Sequence, residues 1–342
     1  VVVNDATRPA CALELLEPVA GALAGRCRVL VATGAHGDVD RETKDALLPE
    51  PLRDSPWCTN DRGSGPRVRM GRTSRGTLVE IHPWLAGGGP VLLTGSVEPH
   101  YFAGFTGGRK SVLPGCSSYR SIEDNHWLAC MPGSGPAVLE GNPVHEDMEE
   151  AAGMLARTCP VTAACCVVRG GEIAAAATGG HREVFRACVA EASRLLCRPV
   201  GRAPSLLLRP GAGLESSLYQ SMKAVYNWAG SVLPGGAVLL SSPCRDGLGA
   251  PHMHGLLTGS RPGDRMPARG SYRLGDHSAA RLSAIRASVR LFLESELEDG
   301  LVRELGFTPV HGPFEREGAL GPDVLTVDDA GLTAPLPEGR PC

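Results

Sequence analysis

The 342-residue chain has twelve cysteines but no CxxC pair; they lie scattered, with Cys165 and Cys166 adjacent inside an apolar run. That pattern excludes zinc ribbons and dithiol redox motifs, and points to buried thiols in a reducing, cytoplasmic compartment. No apolar run approaches the roughly 18 residues of a membrane-spanning helix, so no membrane partner is expected. Net charge is only −3, the 21% charged residues mix both signs without blocks, and aromatics make up 4%. Nucleic acid is excluded as a partner, because phosphate backbones ask for clustered cations and bases for stacking platforms. The chain opens on Val1-Val2-Val3-Asn4-Asp5, already inside a strand and without a methionine, so a first segment is expected to be missing.

What is present is enough apolar content, 42%, to bury more than one core over this length. Val1 to Val3 read as a buried strand, a helix follows from about Ala10 to Ala24, and Cys27 to Thr33 read as the next strand, ahead of a helix from about Asp40 to Leu47. Strand, polar loop, helix, repeated, is the pattern of a doubly wound parallel sheet. A stretch at 50–66, rich in Pro, Gly and Ser, reads as a long excursion, and Pro199 to Pro204 as a linker. The expected fold is therefore two α/β domains, 1–200 and 201–342, with an active-site cleft between them. The final twenty residues, rich in Pro and Gly, read as loosely ordered.

The segment Gly95-Ser-Val-Glu-Pro-His-Tyr-Phe-Ala-Gly-Phe-Thr-Gly-Gly-Arg-Lys-Ser-Val-Leu-Pro-Gly115 has neither helical nor strand periodicity. It follows a short apolar strand, which sets His100 just past the strand's C-terminal end, the edge where open α/β sheets bind ligands. Asp5 and Arg8 leave the first strand, His36 the second, and His126 stands on the helix after the glycine-rich loop. A further cluster, Tyr219-Gln220-Ser221-Met222-Lys223, opens a helix of the second domain. His252-x-His254 has no carboxylate beside it in the sequence and reads as incidental.

Taken together, NDATRP, VATGAH, PHYFAGFTGGRKSVLPG, DNH, GNPVHEDM, YQSMKA, CRDGLG and GDH stand in the order and near the spacing of the lactate racemase family, which this sequence resembles over most of its length. The resemblance implies racemisation or epimerisation of a 2-hydroxy acid, lactate-like, with a nickel-pincer nucleotide as cofactor and proteins of cofactor biosynthesis as partners. It makes Lys110 the lysine that holds the cofactor covalently; such a bond needs an uncharged amine, which burial beside a cation such as Arg109 favours. His126 becomes the imidazole ligand of the metal, a soft donor set that suits Ni(II). His36 and His100 become the paired catalytic bases, since a racemase must meet either enantiomer. Arg8, Tyr219, Gln220 and Lys223 become the substrate pocket, Arg8 as the bidentate carboxylate clamp. Asp5 and Thr7, with the backbone at Gly34, Gly107 and Gly108, become candidates to hold the nucleotide.

Two departures stand out: Gly37 follows His36 where the family carries Arg, and Ser278 follows His277 where it carries Lys. Two other readings of the same residues remain open. Lys110 in a glycine-rich loop also suits a Schiff base with pyridoxal phosphate or a carbonyl substrate, and the chain also suits a non-catalytic nucleotide-binding fragment.

Overall fold

The computed structural model describes residues 1–5, 11–61, 65–211, 213–249, 253–259 and 268–336. Its first sheet is built from the short apolar runs expected to be buried: β1 (Val2–Asn4), β2 (Val29–Ala32), β3 (Trp57–Thr59), β4 (Val91–Ser96), β5 (Val161–Arg169) and β6 (Glu172–Gly180), in the order β6-β5-β4-β1-β2-β3. All pairings are parallel except β5 with β6. Val3, Val29 and Val31 form a core with Leu16, Ala20, Leu48 and Leu52 on one face of it. The strand order reverses between β1 and β4, and such a reversal opens a crevice at the C-terminal strand ends.

The helix expected over Ala10 to Ala24 forms in pieces, Ala12–Leu16, a 3-10 turn Glu17–Val19 and Ala20–Leu23. Pro18 is the reason, because it has no N–H to give a continuous helix. Later helices start where their caps say. Ser118 accepts from Ser121 N ahead of α1 (Tyr119–His126), and Asn142 accepts from Val144 N and His145 N, with Pro143 at the first position of α2 (Pro143–Ala156). α3 (His181–Leu196) follows β6.

The second sheet comprises β7 (Ala203–Leu208), β8 (Val232–Ser241), β9 (Arg290–Glu294), β10 (Thr308–Pro309) and β11 (Val324–Val327), ordered β10-β9-β8-β7-β11 and parallel throughout. α4 (Leu218–Trp228) follows β7, and α5 (Asp276–Ser288) precedes β9. Here the order reverses between β7 and β11, and the chain stitches that crevice shut. Arg209 N donates to Val327 O at 3.0 Å, Ala330 N to Arg209 O at 2.8 Å and Gly331 N to Pro210 O at 2.9 Å. Asn227 Nδ2, from α4, reaches the carbonyls of Ala330, Gly331 and Thr333 at 3.1–3.4 Å, and Trp228 Nε1 reaches Thr333 O at 3.1 Å. The tail expected to be loose thus supplies the edge strand β11 and the segment that closes the crevice.

The stretch 50–66 likewise holds a strand, β3, at the far edge of the first sheet. By contact the chain divides into two compact units: Val1–Glu98, Ala103–Ser134 and Val138–Leu195 in one, Pro99–Phe102, Gly135–Ala137 and Leu196–Cys342 in the other. The main division falls close to the expected linker, but two short segments from the first half of the sequence belong to the second unit, and His100 is in one of them. Among the described residues no helix is long and apolar enough to cross a membrane.

Candidate active site

A glycine-rich loop is expected at the surface, and this one is buried: between Gly95 and Gly115 every residue except Pro114 is inside the protein. Glycine makes that possible at close approaches. Gly107 has φ +80, and a Cβ there would lie 2.5 Å from Val97 Cγ2; one on Gly115 would lie 2.6 Å from Ser111 O and 2.9 Å from Ala32 Cβ. Gly108 is pressed against Phe185. Gly107 and Gly108, whose backbone is expected to hold the nucleotide, sit at these close approaches and lead into the short 3-10 turn Gly108–Ser111 that carries Lys110.

That turn packs against β1 and β4, at the strand reversal of the first sheet. Ser111 Oγ lies 3.5 Å from Asn4 Oδ1, and Gly34 N donates to Gly115 O at 2.9 Å, which fastens the loop after β2 to the end of the glycine-rich segment. The loop after β2 holds His36, whose Nδ1 meets Asp5 Oδ2 at 2.6 Å. Asp5 is buried and His36 half-exposed. The carboxylate expected to hold a ribose thus meets an imidazole through one of its oxygens. With Nδ1–H donating to Asp5, the ring's lone pair is on Nε2.

Arg109 is fully buried. Its guanidinium donates to Ala103 O at 3.0 Å and Phe105 O at 3.1 Å, lies 4.0 Å from the Phe185 ring centroid, and has Glu149 at 3.8 Å. Burial pulls it down to about 9, against the opposing charge of Glu149. Its visible work is to gather the carbonyls of the loop that presents Lys110. Lys110 is itself buried.

His126 is buried on the last turn of α1. That helix is fixed on several sides: Asp124 Oδ2 accepts from Leu78 N at 3.1 Å, Ser121 Oγ from Glu80 N at 3.0 Å, and Asn125 Nδ2 donates to Asp147 Oδ2 at 2.7 Å. Asp147, fully buried on α2, takes a second bond from Thr73 Oγ1 at 2.5 Å. Asp147 was not singled out among the candidate residues, though the GNPVHEDM run contains it.

The second unit gathers the other set. The segment Pro99–His100 packs against α4, whose first turns carry Tyr219, Gln220 and Lys223, all half-buried. α4 is held by Leu218 N to Gly247 O at 3.0 Å and Tyr219 N to Leu248 O at 3.1 Å, so the CRDGLG loop serves as its dock. Gln220 Oε1 is buried and has no hydrogen-bond partner among the described residues. Such an orphan costs about 1–3 kcal/mol unless something donates to it. His100 is buried against Tyr101 and Phe102. Arg8 and Thr7, like His252, lie outside the described residues; His254 faces Glu304 at 3.5 Å.

Residues 1–135 match the family model described as the lactate racemase N-terminal domain. Two curated proteins named lactate racemase are similar: one from Thermoanaerobacterium thermosaccharolyticum, 30% identical over 65% of this chain and 53% of its own length, and one from Lactiplantibacillus plantarum, 28% identical over 73% of this chain and 61% of its own. Over these spans the chain is similar to lactate racemases, and its first 135 residues match that family's N-terminal domain. It spans little more than half the length of these two family members. The fold is shared as well. The lactate racemase apoprotein from T. thermosaccharolyticum superposes with a TM-score of 0.88 at 23% identity, over 97% of this chain and 85% of that one. A protein from Thermotoga maritima superposes at 0.77 with 15% identity, over 98% and 92%.

Proposed function

We propose that this chain racemises or epimerises a 2-hydroxy acid of the lactate type, in the cytoplasm, with a nickel-pincer nucleotide bound at Lys110. The observation that carries the reading is the hydrogen bond from His36 Nδ1 to Asp5 Oδ2 at 2.6 Å, beside the buried loop of Lys110 at the strand reversal of the first sheet. An imidazole oriented by a buried carboxylate is a poised proton acceptor, and this one stands where an α/β sheet takes its ligand.

The residues fit such a cofactor. Among the described residues no group of three or more His, Cys, Asp or Glu side chains could hold a metal ion. One buried imidazole, His126, and one buried amine, Lys110, suit a group that brings most of its donors with it. When bound, that group supplies hydride chemistry at the substrate's C2.

The remaining work falls to the chain. His36 and His100 take and return the hydroxyl proton, one for each enantiomer, and Asp5 keeps His36 in the tautomer that accepts at Nε2. Arg8 and Lys223 neutralise the substrate carboxylate. Gln220 and Tyr219 line the same pocket, and Gln220 Oε1, buried without a hydrogen-bond partner among the described residues, is an acceptor there. Proteins of cofactor biosynthesis are the partners this reading requires.

The test is to load the purified chain with the cofactor and follow loss of optical rotation over a panel of 2-hydroxy acids. Turnover of a small member of the panel is expected. A loaded protein that racemises none of them would sink the reading.

A further inference from the structure

His277 belongs to the GDH run, to which the proposed function gives no role. It is buried at the start of α5, and each ring nitrogen faces a tyrosine hydroxyl: Tyr272 Oη lies 2.6 Å from Nδ1, and Tyr101 Oη 3.2 Å from Nε2. A neutral imidazole has one donor and one acceptor. With the short bond read as Tyr272 donating into Nδ1, Nε2–H donates to Tyr101.

Tyr101 is the ring on which His100 rests. The two rings are stacked at 4.9 Å between centroids and 18° between planes. Adjacent residues of a strand point to opposite faces, so this stack exists only because the chain turns at Tyr101 and Phe102 directly after Pro99–His100. The tyrosine is then held from several elements: Tyr226 of α4 stacks on it at 4.9 Å, Arg281 of α5 lies 5.6 Å from its centroid, and Ser278 Oγ stands 3.4 Å from its hydroxyl. Of these contacts, the one with His277 is a hydrogen bond whose donor is itself fixed by a second one.

We propose that His277 is a positioning residue for His100, acting through the Tyr101 ring, with Tyr272 setting the tautomer of His277. This deepens the proposed function, in which His100 is a proton acceptor, and it rests on that reading for its catalytic consequence only. Misplacing a reacting group by about 1 Å can cost on the order of 10²-fold in rate.

The full chain, labelled with ¹⁵N-histidine, provides a readout independent of turnover: the ring signals of His100, assigned by their loss in His100→Gln. His277→Phe keeps the volume and removes both hydrogen bonds; His277→Gln keeps one donor and one acceptor; Tyr101→Phe keeps the stack and removes the anchor. His277→Phe and Tyr101→Phe are expected to shift the His100 signals, and in the cofactor-loaded protein to lower kcat about 10²-fold while KM stays within about twofold. His277→Gln is expected to recover most of that loss and to restore the signals.

Unmoved His100 signals in a folded His277→Phe or Tyr101→Phe protein would overturn the proposal, as would a His277→Gln variant as impaired as His277→Phe. If His277→Phe does not fold, the other two variants carry the same test. Shifted signals in a chain that racemises nothing would uphold the positioning and remove the proposed function instead.

Discussion

In the first sheet the strand order reverses between β1 and β4, and the loops leaving that region carry Asp5, His36 and Lys110. In the second it reverses between β7 and β11, and the loops there bond to each other through Arg209, Ala330 and Gly331 while Asn227 covers the carbonyls that remain. A strand reversal is thus an opportunity that sequence can use or cancel. Around the first reversal stand side chains whose chemistry exceeds what packing needs; around the second the backbone groups of the two loops bond to one another, and a Cβ on Gly331 would lie 2.4 Å from Leu214 Cδ1, a mark of close packing.

The largest effect expected from breaking this contrast is at Lys110. Lys110→Ala should abolish covalent attachment of the cofactor, read as a missing mass increment on the intact protein; an adduct of unchanged mass would remove Lys110 from the assignment. Next come the bases. His36→Ala and His100→Ala should each lower conversion in both directions by about 10²–10⁴-fold, and full activity both ways in either variant would end the two-base scheme. Asp5→Asn should sharpen the picture with a smaller loss, about 10²-fold in kcat, because the amide can no longer receive the Nδ1–H with a full charge.

On the other side of the comparison, Asn227→Ala should cost about 1–3 kcal/mol in denaturant-induced unfolding, since it strips buried carbonyls of their donor, and leave turnover per folded molecule unchanged. A changed KM in that variant would mean the second crevice is not closed to ligand. The smallest effect concerns acid stability. Burial, with Arg109 and Arg186 nearby, lowers His145 to about 3. The unfolded chain therefore binds a proton near pH 6.5 that the folded chain refuses, so this residue's contribution is full above that pH and fades as pH falls toward 3. His145→Asn should flatten that part of the stability curve, measured as the difference in unfolding midpoint between pH 7 and pH 5.

Much of the fold was legible because its strands are short, apolar and β-branched and its helices announce their caps, as Asn142-Pro143 does. What escaped was structure whose cause lies elsewhere in the chain. Trp57–Thr59 sits in a Pro- and Ser-rich stretch and becomes a strand because β2 offers it an edge. Val324–Val327 does the same beside β7.

At the candidate site the motifs pointed to Lys110, His36, His100 and His126 one by one, but not to the pairing of Asp5 with His36, which are far apart in sequence and meet only across neighbouring strands. Arg109 shows the opposite limit. Read beside Lys110 it suggests a charge effect on the amine; nothing in the sequence tells that its guanidinium also gathers the carbonyls of Ala103 and Phe105 and lies on the face of Phe185.

The second unit includes Pro99–Phe102 as well as everything from Leu196 onward. A gene cut at the apparent linker would therefore not release it whole: the fragment beginning at Leu196 would be missing the ring that Tyr226 stacks on and the hydroxyl that His277 meets. Exchange of this half between relatives, by recombination or by design, has to carry a short piece of the other half's coding sequence with it. His100, proposed above as a proton acceptor, travels in that piece.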